Sequence, residues 1–137
     1  MTDITKKSAQ EINKLFLSKE ISAKEIVDAL YKQIEKTEPK IDALNLITKD
    51  LAYRQAEELD KKIAKGEKLS SIAGVPIIVK DVLCVKNYAA TCSSKILENF
   101  IAPYESTCTE KLWAAGAICL AKSNMDEFAM GSSTENS

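Results

Sequence analysis

The sequence predicts an α/β chain whose two halves differ in kind. Three observations carry this prediction. Residues 1–68 hold 14 Lys/Arg and 13 Asp/Glu, whereas residues 69–137 hold 5 and 7. Apolar residues in the first half recur at spacings of three and four, the period of a helix with one buried face. In the second half they gather into two short continuous runs, Val75–Val79 and Ala117–Ala121, the pattern of strands buried on both faces of a parallel sheet. The expected organisation is therefore a helical layer over residues 1–68 and a core unit over residues 69–137, together one part of a single domain.

The first helix is expected over about residues 5–18, with Ile12, Leu15 and Phe16 on one face. A second starts at Ser22-Ala23-Lys24-Glu25, a capping box in which the Ser22 hydroxyl takes the Glu25 amide and the Glu25 side chain reaches back. Ile26, Leu30 and Ile34 follow at spacing four, and Pro39 is expected to end the helix. A short extended piece, 43–47, comes next. The third helix begins near Thr48, shows a stripe of Ala52, Ala56, Leu59 and Ile63, and closes with Lys61, Lys62 and Lys65 before Gly66. Val75–Val79 then reads as a strand, with Pro76 near its start where a missing N–H is tolerated. Thr107-Cys108-Thr109-Glu110 reads as another capping box, opening a helix that Gly116 closes. Ala117–Ala121 is the second core strand, and a short helix from Asn124 runs to Gly131. The second half is thus a β-loop-α-β unit, expected to be parallel and right-handed.

Composition narrows the function. At 137 residues, 45% hydrophobic and 28% charged, the chain is ordinary globular material. A net charge of −1 argues against a broad nucleic-acid or anionic-membrane surface. No apolar run is long enough to span a bilayer, and MTDITKKSAQ lacks the apolar core of a secretion signal, so a cytoplasmic protein is expected. There is no histidine, which removes every Ser-His or Cys-His arrangement within these residues. Cys84, Cys92, Cys108 and Cys119 have no C-x-x-C spacing, so they predict buried or half-buried thiols and no metal site.

One residue stands out for chemistry. Lys80 follows directly on Val75–Val79, and ligands in open α/β sheets bind beyond the carboxyl ends of strands. At the edge of a low-dielectric interior a lysine's neutral form is favoured, and a neutral amine can act as a general base. The competing reading is a lysine that extends to solvent and pairs with Asp81. Asp81 falls on the opposite face of the strand and is expected to give structural support, capping the following turn. The tail Met130-Gly131-Ser132-Ser133-Thr134-Glu135-Asn136-Ser137 is rich in hydroxyls. It reads either as a frayed terminus or as one wall of a polar pocket.

GVPIIVKD, TCSSKILENF, PYEST and LWAAGAICLAKSNMDEFAMGSSTENS together resemble the amidase signature family. The resemblance is nearest to its branch of amidotransferase A subunits that serve Glu-tRNA(Gln) and Asp-tRNA(Asn). It extends over essentially the whole chain and is weakest over residues 1–40. It implies a mixed sheet covered by helices and a Ser–cis-Ser–Lys triad. The family's lysine lies in a stretch [I/V]-P-[I/V]-x-[I/V]-K-D, so the resemblance implies that Lys80 is the catalytic lysine. Met130, Gly131 and Ser132 match the stretch that borders the substrate pocket. The family's bridging serine and serine nucleophile belong to a Gly-Ser-rich segment that these 137 residues do not contain; Ser132 and Ser133 are not that motif. The chain corresponds to the N-terminal quarter to third of a full-length family member of this branch, and is expected to be inactive alone.

For the intact protein the resemblance implies glutamine hydrolysis. The released ammonia serves tRNA-dependent amidation in protein biosynthesis, within a heterotrimer of this and two other subunits. It implies no cofactor in this chain; ATP and magnesium belong to the partner subunit that activates Glu-tRNA(Gln), and tRNA meets the complex as a whole. Two alternatives stand beside it: a non-catalytic interaction fragment, and an amidase of the same superfamily with another amide substrate.

Overall fold

Three strands form one mixed sheet in the computed structural model, which describes residues 3–137. The strand order is β1 (Leu44–Ile47), β3 (Ile118–Ser123), β2 (Pro76–Lys80). β3 is central. It pairs parallel with β2, from Pro76 opposite Ile118 to Lys80 opposite Ser123, and antiparallel with β1. The parallel β2–β3 pair is the one the sequence predicts. The extended piece at 43–47 becomes β1, so the helical first half contributes a strand to the sheet.

The helices are α1 (Ala9–Leu17), α2 (Ala23–Ile41), α3 (Lys49–Ala64) and α4 (Thr107–Ala114). Capping boxes start two of them, Ser8 with Glu11 on α1 and Ser22 with Glu25 on α2. A separate 3-10 turn at Ile4–Lys6 precedes α1, so the expected helix over 5–18 is two pieces. α2 runs two residues beyond Pro39 and ends where Asp42 turns left-handed and its N–H reaches Glu38 O at 2.9 Å. Proline in the last turn loses one intrahelical bond, which the turn tolerates. α3 ends as the sequence indicates. Gly66, at φ +77°, donates to Ile63 O, and Glu67 donates to Lys62 O, the paired bonds of a Schellman close. The cap of α4 is Ser106, whose hydroxyl accepts from Thr109 N at 3.3 Å, one residue before the Thr107 start expected from the sequence.

The sheet has a core on each side. Toward the helices, Ile118 and Leu120 pack with Phe16, Ile26, Val27, Ala52, Ala56 and Leu59. On the other side, Val79 and Cys119 pack with Leu51 and Val85. Ala117–Ala121 is buried throughout, as expected. Val75–Val79 is not: Ile78 is 47% exposed and Pro76 and Ile77 only half-buried. Ile78 lies on the face of β2 that opens on a cavity, so that face is incompletely covered. The thiols are all free, but only Cys119 is buried; Cys84 and Cys92 are half-buried and Cys108 is exposed, against the expectation for that residue.

Candidate active site

The end of β2 sets two side chains back to back. Alternation along a strand sends Val79 and Asp81 to one face and Ile78 and Lys80 to the other. Val79 and Asp81 are buried, whereas Ile78 and Lys80 are exposed and line a polar cavity of about 310 Å³. The burial expected for Lys80 from its place at the end of an apolar run falls instead on Lys122. That residue ends the other apolar run, on the central strand, and is wholly buried.

Lys122 is held by three oxygens. Its Nζ lies 2.8 Å from Asp81 Oδ1 and donates to Asp81 O at 3.2 Å and Ala89 O at 2.6 Å. The second Asp81 oxygen accepts from Thr91 Oγ1 at 2.5 Å, Thr91 N at 3.1 Å and Asn45 Nδ2 at 3.1 Å. Burial alone would push the Asp81 carboxyl up; the bonds from Lys122, Thr91 and Asn45 outweigh it and hold the group below the ordinary carboxylate range. Asp81 thus gives structural support, as the sequence predicts, but by bonding Lys122, Thr91 and Asn45; the following turn is closed by Leu83 N donating to Lys80 O, not by an Asp81 cap. Its carboxylate is committed to Lys122, and among the described residues no ion pair includes Lys80. The Lys80–Asp81 pairing weighed from sequence does not form.

The cavity's other wall comes from Ser123 at the end of β3 and from the tail: Asn124, Met125, Asp126, Ala129, Gly131, Ser132 and Thr134. Gly131 and Ser132 therefore share a cavity with Lys80. Met130 does not line it and is 83% exposed. Asp126 organises this wall. Its carboxylate accepts from Thr134 N at 2.9 Å and Asn136 N at 3.2 Å, bonds that hold it below its usual range. A Cβ on Gly131 would overlap the Asp126 carboxylate, so glycine there lets the tail close over that group. The short helix expected from Asn124 is a 3-10 turn, Glu127–Ala129, with Phe128 in the left-handed region at φ +52°.

A hydrogen-bonded chain links the two walls from beneath. Asn45 Nδ2 donates to both Asp81 Oδ2 and Ser93 Oγ, the latter at 2.9 Å. Ser93 Oγ donates to Asn124 Oδ1 at 2.8 Å and accepts from Met125 N at 3.2 Å. Cys92 and Ser93 both sit at positive φ, +51° and +52°, uncommon for residues with a Cβ. That turn aims the Ser93 hydroxyl at both asparagines. Lys122, Asn45, Ser93 and Asp126 do not stand out in the sequence. For Lys122 a signal is present, an apolar run ending in lysine like that of Lys80; Asn45 and Ser93 depend on contacts distant along the chain, and Asp126 on how the tail folds back over it.

The profile of the family described as Amidase matches residues 25–137. The chain is 52% identical over 130 residues to the A subunit of glutamyl-tRNA(Gln) amidotransferase from Acaryochloris marina (strain MBIC 11017), covering 95% of this chain and 27% of that protein. The same protein of Carboxydothermus hydrogenoformans is also 52% identical, with the same coverage. The chain thus spans about a quarter of the length of these curated relatives. Among solved structures, an inhibitor-bound complex described as vestigial, and as revealing the origins of an s-triazine catabolic enzyme, superposes with a TM-score of 0.92 at 32% identity. It covers 96% of this chain and 29% of its own. A bacterial aryl acylamidase of the amidase signature enzymes superposes at 0.81 with 30% identity over 87% of this chain and 25% of its own. The match spans α2 to the tail, and with it the whole sheet and both walls of the cavity: the chain belongs to the amidase signature family.

Proposed function

We propose that this chain supplies the lysine side of an amide-hydrolysing site, and that the intact protein is the glutamine-hydrolysing A subunit of a tRNA-dependent amidotransferase. One observation carries the reading. Lys80, at the strand end where the family places its catalytic lysine, faces a polar cavity with Gly131 and Ser132, and the neighbouring carboxylate is already committed to another lysine. In this reading Lys80 is the general base. It takes a proton from a bridging serine and, through it, from the serine nucleophile, both supplied by sequence beyond these residues. The serine attacks the side-chain amide of glutamine, ammonia leaves, and water releases glutamate from the acyl-enzyme. Gly131 and Ser132 border the bound amide, with Met130 beside them. The ammonia then passes to a partner subunit of a heterotrimer in the cytoplasm, which amidates Glu-tRNA(Gln) with ATP and magnesium. The 137 residues alone run none of this chemistry.

The test uses the full-length protein in complex with its partners. Lys80→Ala is expected to abolish glutamine-dependent amidation and leave ammonium-dependent amidation intact, because only the glutamine step is lost. Lys80→Arg is expected to be as damaging, since a guanidinium stays charged and cannot accept the proton. Near-normal glutamine-dependent activity in Lys80→Arg would remove the base role. A second reading, an amidase with another amide substrate, is favoured by the aryl acylamidase, which shares the fold. Co-purification of partner subunits with the full-length protein separates the two.

A further inference from the structure

We infer that Asp81 and Lys122 are positioning residues for the amide-hydrolysis reaction: their buried ion pair fixes the end of β2 so that Lys80 faces the cavity at a set place relative to the opposite wall. The inference rests on the reading of Lys80 as the base.

Asp81 is the residue next to Lys80, and its carboxylate, its carbonyl and the Ala89 carbonyl converge on one ammonium from the central strand. That ammonium has three N–H groups and three oxygens around it, which locks the backbone immediately after Lys80. The other carboxylate oxygen continues through Asn45 and Ser93 to Asn124 and Met125, where the tail wall begins. One network therefore joins the base's strand to the wall it faces. A buried ion pair is a poor device for stability alone, because the desolvation of two charges offsets their attraction and an apolar pair can hold a fold as well. Directional bonds to three separate segments are what an apolar pair cannot supply. The pair also keeps the Asp81 carboxylate away from the Lys80 amine.

The experiment uses the full-length protein in its complex and compares three variants at a temperature where each is folded by thermal melt. In Asp81→Asn/Lys122→Met both charges are removed, while the amide oxygen introduced at position 81 still accepts from Thr91 N. Its kcat for glutamine hydrolysis is expected to fall about tenfold or more, the scale of a small misplacement of a catalytic group. KM and ammonium-dependent amidation are expected to stay unchanged. Tyr31→Phe, which removes a buried hydrogen bond to Leu120 O on the same central strand, is the stability control and is expected to keep kcat. Lys80→Ala is the third arm. If it keeps activity, the base reading fails and the inference with it. If Lys80→Ala is inactive but the double variant keeps wild-type kcat, the inference alone is overturned. It is equally overturned if Tyr31→Phe loses kcat in parallel, or if ammonium-dependent amidation falls with glutamine hydrolysis. Should the double variant not fold, Thr91→Val, which removes only the hydroxyl bond to Asp81, is read the same way: lower kcat at constant KM supports the inference, and unchanged kcat overturns it.

Discussion

Lys80 and Lys122 each end an apolar run of the same sheet, on neighbouring strands, yet one faces a cavity and the other is buried against Asp81 on the opposite face. The difference makes stability predictions that are independent of catalysis. Lys122→Met leaves the Asp81 carboxylate buried and unpaired, and is expected to cost about 3–5 kcal/mol. Adding Asp81→Asn removes the stranded charge and is expected to restore most of that loss; urea unfolding of the three proteins measures both. The acid side follows from the same pair. The folded-state pKa of Asp81 lies below its ordinary value of 3.8, so its stabilising contribution is complete above that pH and is lost as pH falls through the folded value. Wild-type stability is therefore expected to drop more steeply below about pH 4 than that of the double variant, near the ordinary carboxylate pKa. That Asp81 faces away from Lys80 is legible in the sequence from strand alternation alone. The partner of Asp81 is not, because an apolar run that ends in lysine does not say which strand is central. That depends on pairing between residues some forty positions apart.

Helix ends are most legible where a short pattern closes on itself. Ser22 and Glu25 exchange bonds as the sequence indicates: Ser22 N donates to Glu25 Oε2 at 2.9 Å and Glu25 N donates to Ser22 Oγ at 3.1 Å. Ser22→Ala is expected to cost about 1 kcal/mol, measurable by denaturant titration. The same box forms at Ser8 and Glu11, and the residues that spell it lie inside the helix expected from about residue 5, so the expected start falls about a turn too early. At α4, Ser106 and Thr107 are both competent caps by residue type. The structure selects Ser106, and the Thr109 side chain turns inward to Cys84 O at 3.1 Å. Pro39 shows the opposite failure, a strong local stop overridden because only two further residues need helical geometry. The tail wall gives this scale its own prediction. Gly131→Ala forces Asp126 to move, since the added methyl would overlap its carboxylate, and the bonds to Thr134 and Asn136 go with it. In the full-length protein the expected result is a several-fold rise in the KM for glutamine with a smaller change in kcat, the signature of lost ground-state binding. Asp126→Ala/Gly131→Ala, which clears the overlap but does not restore the lost bonds, is expected to resemble the single variant.

At the scale of the whole molecule, the class of fold is legible because period-four and continuous apolar patterns change over at residue 69. Which strands lie at the edge is not, since that depends on what each strand meets. β1 and β2 flank β3, so each has one side unpaired within this sheet, and β2 carries Ile78 on its exposed face. The loop after β2 adds Ile96, Phe100, Ile101 and Tyr104, all exposed. An open edge with apolar side chains is a template for pairing with another chain, and the chain spans about a quarter of the length of its curated relatives. The 137-residue chain is therefore expected to self-associate, with a sedimentation coefficient that rises with concentration. Ile78→Lys should reduce this: a charge on the edge strand opposes pairing with a second copy, while the buried positions of β2 and its ladder to β3 stay as they are. The loop side chains are left untouched, so any association that survives Ile78→Lys reports on them and not on the strand. A wild-type chain that sediments as a single monomer across the range and melts in one sharp transition would show that the open edge of β2 is no liability.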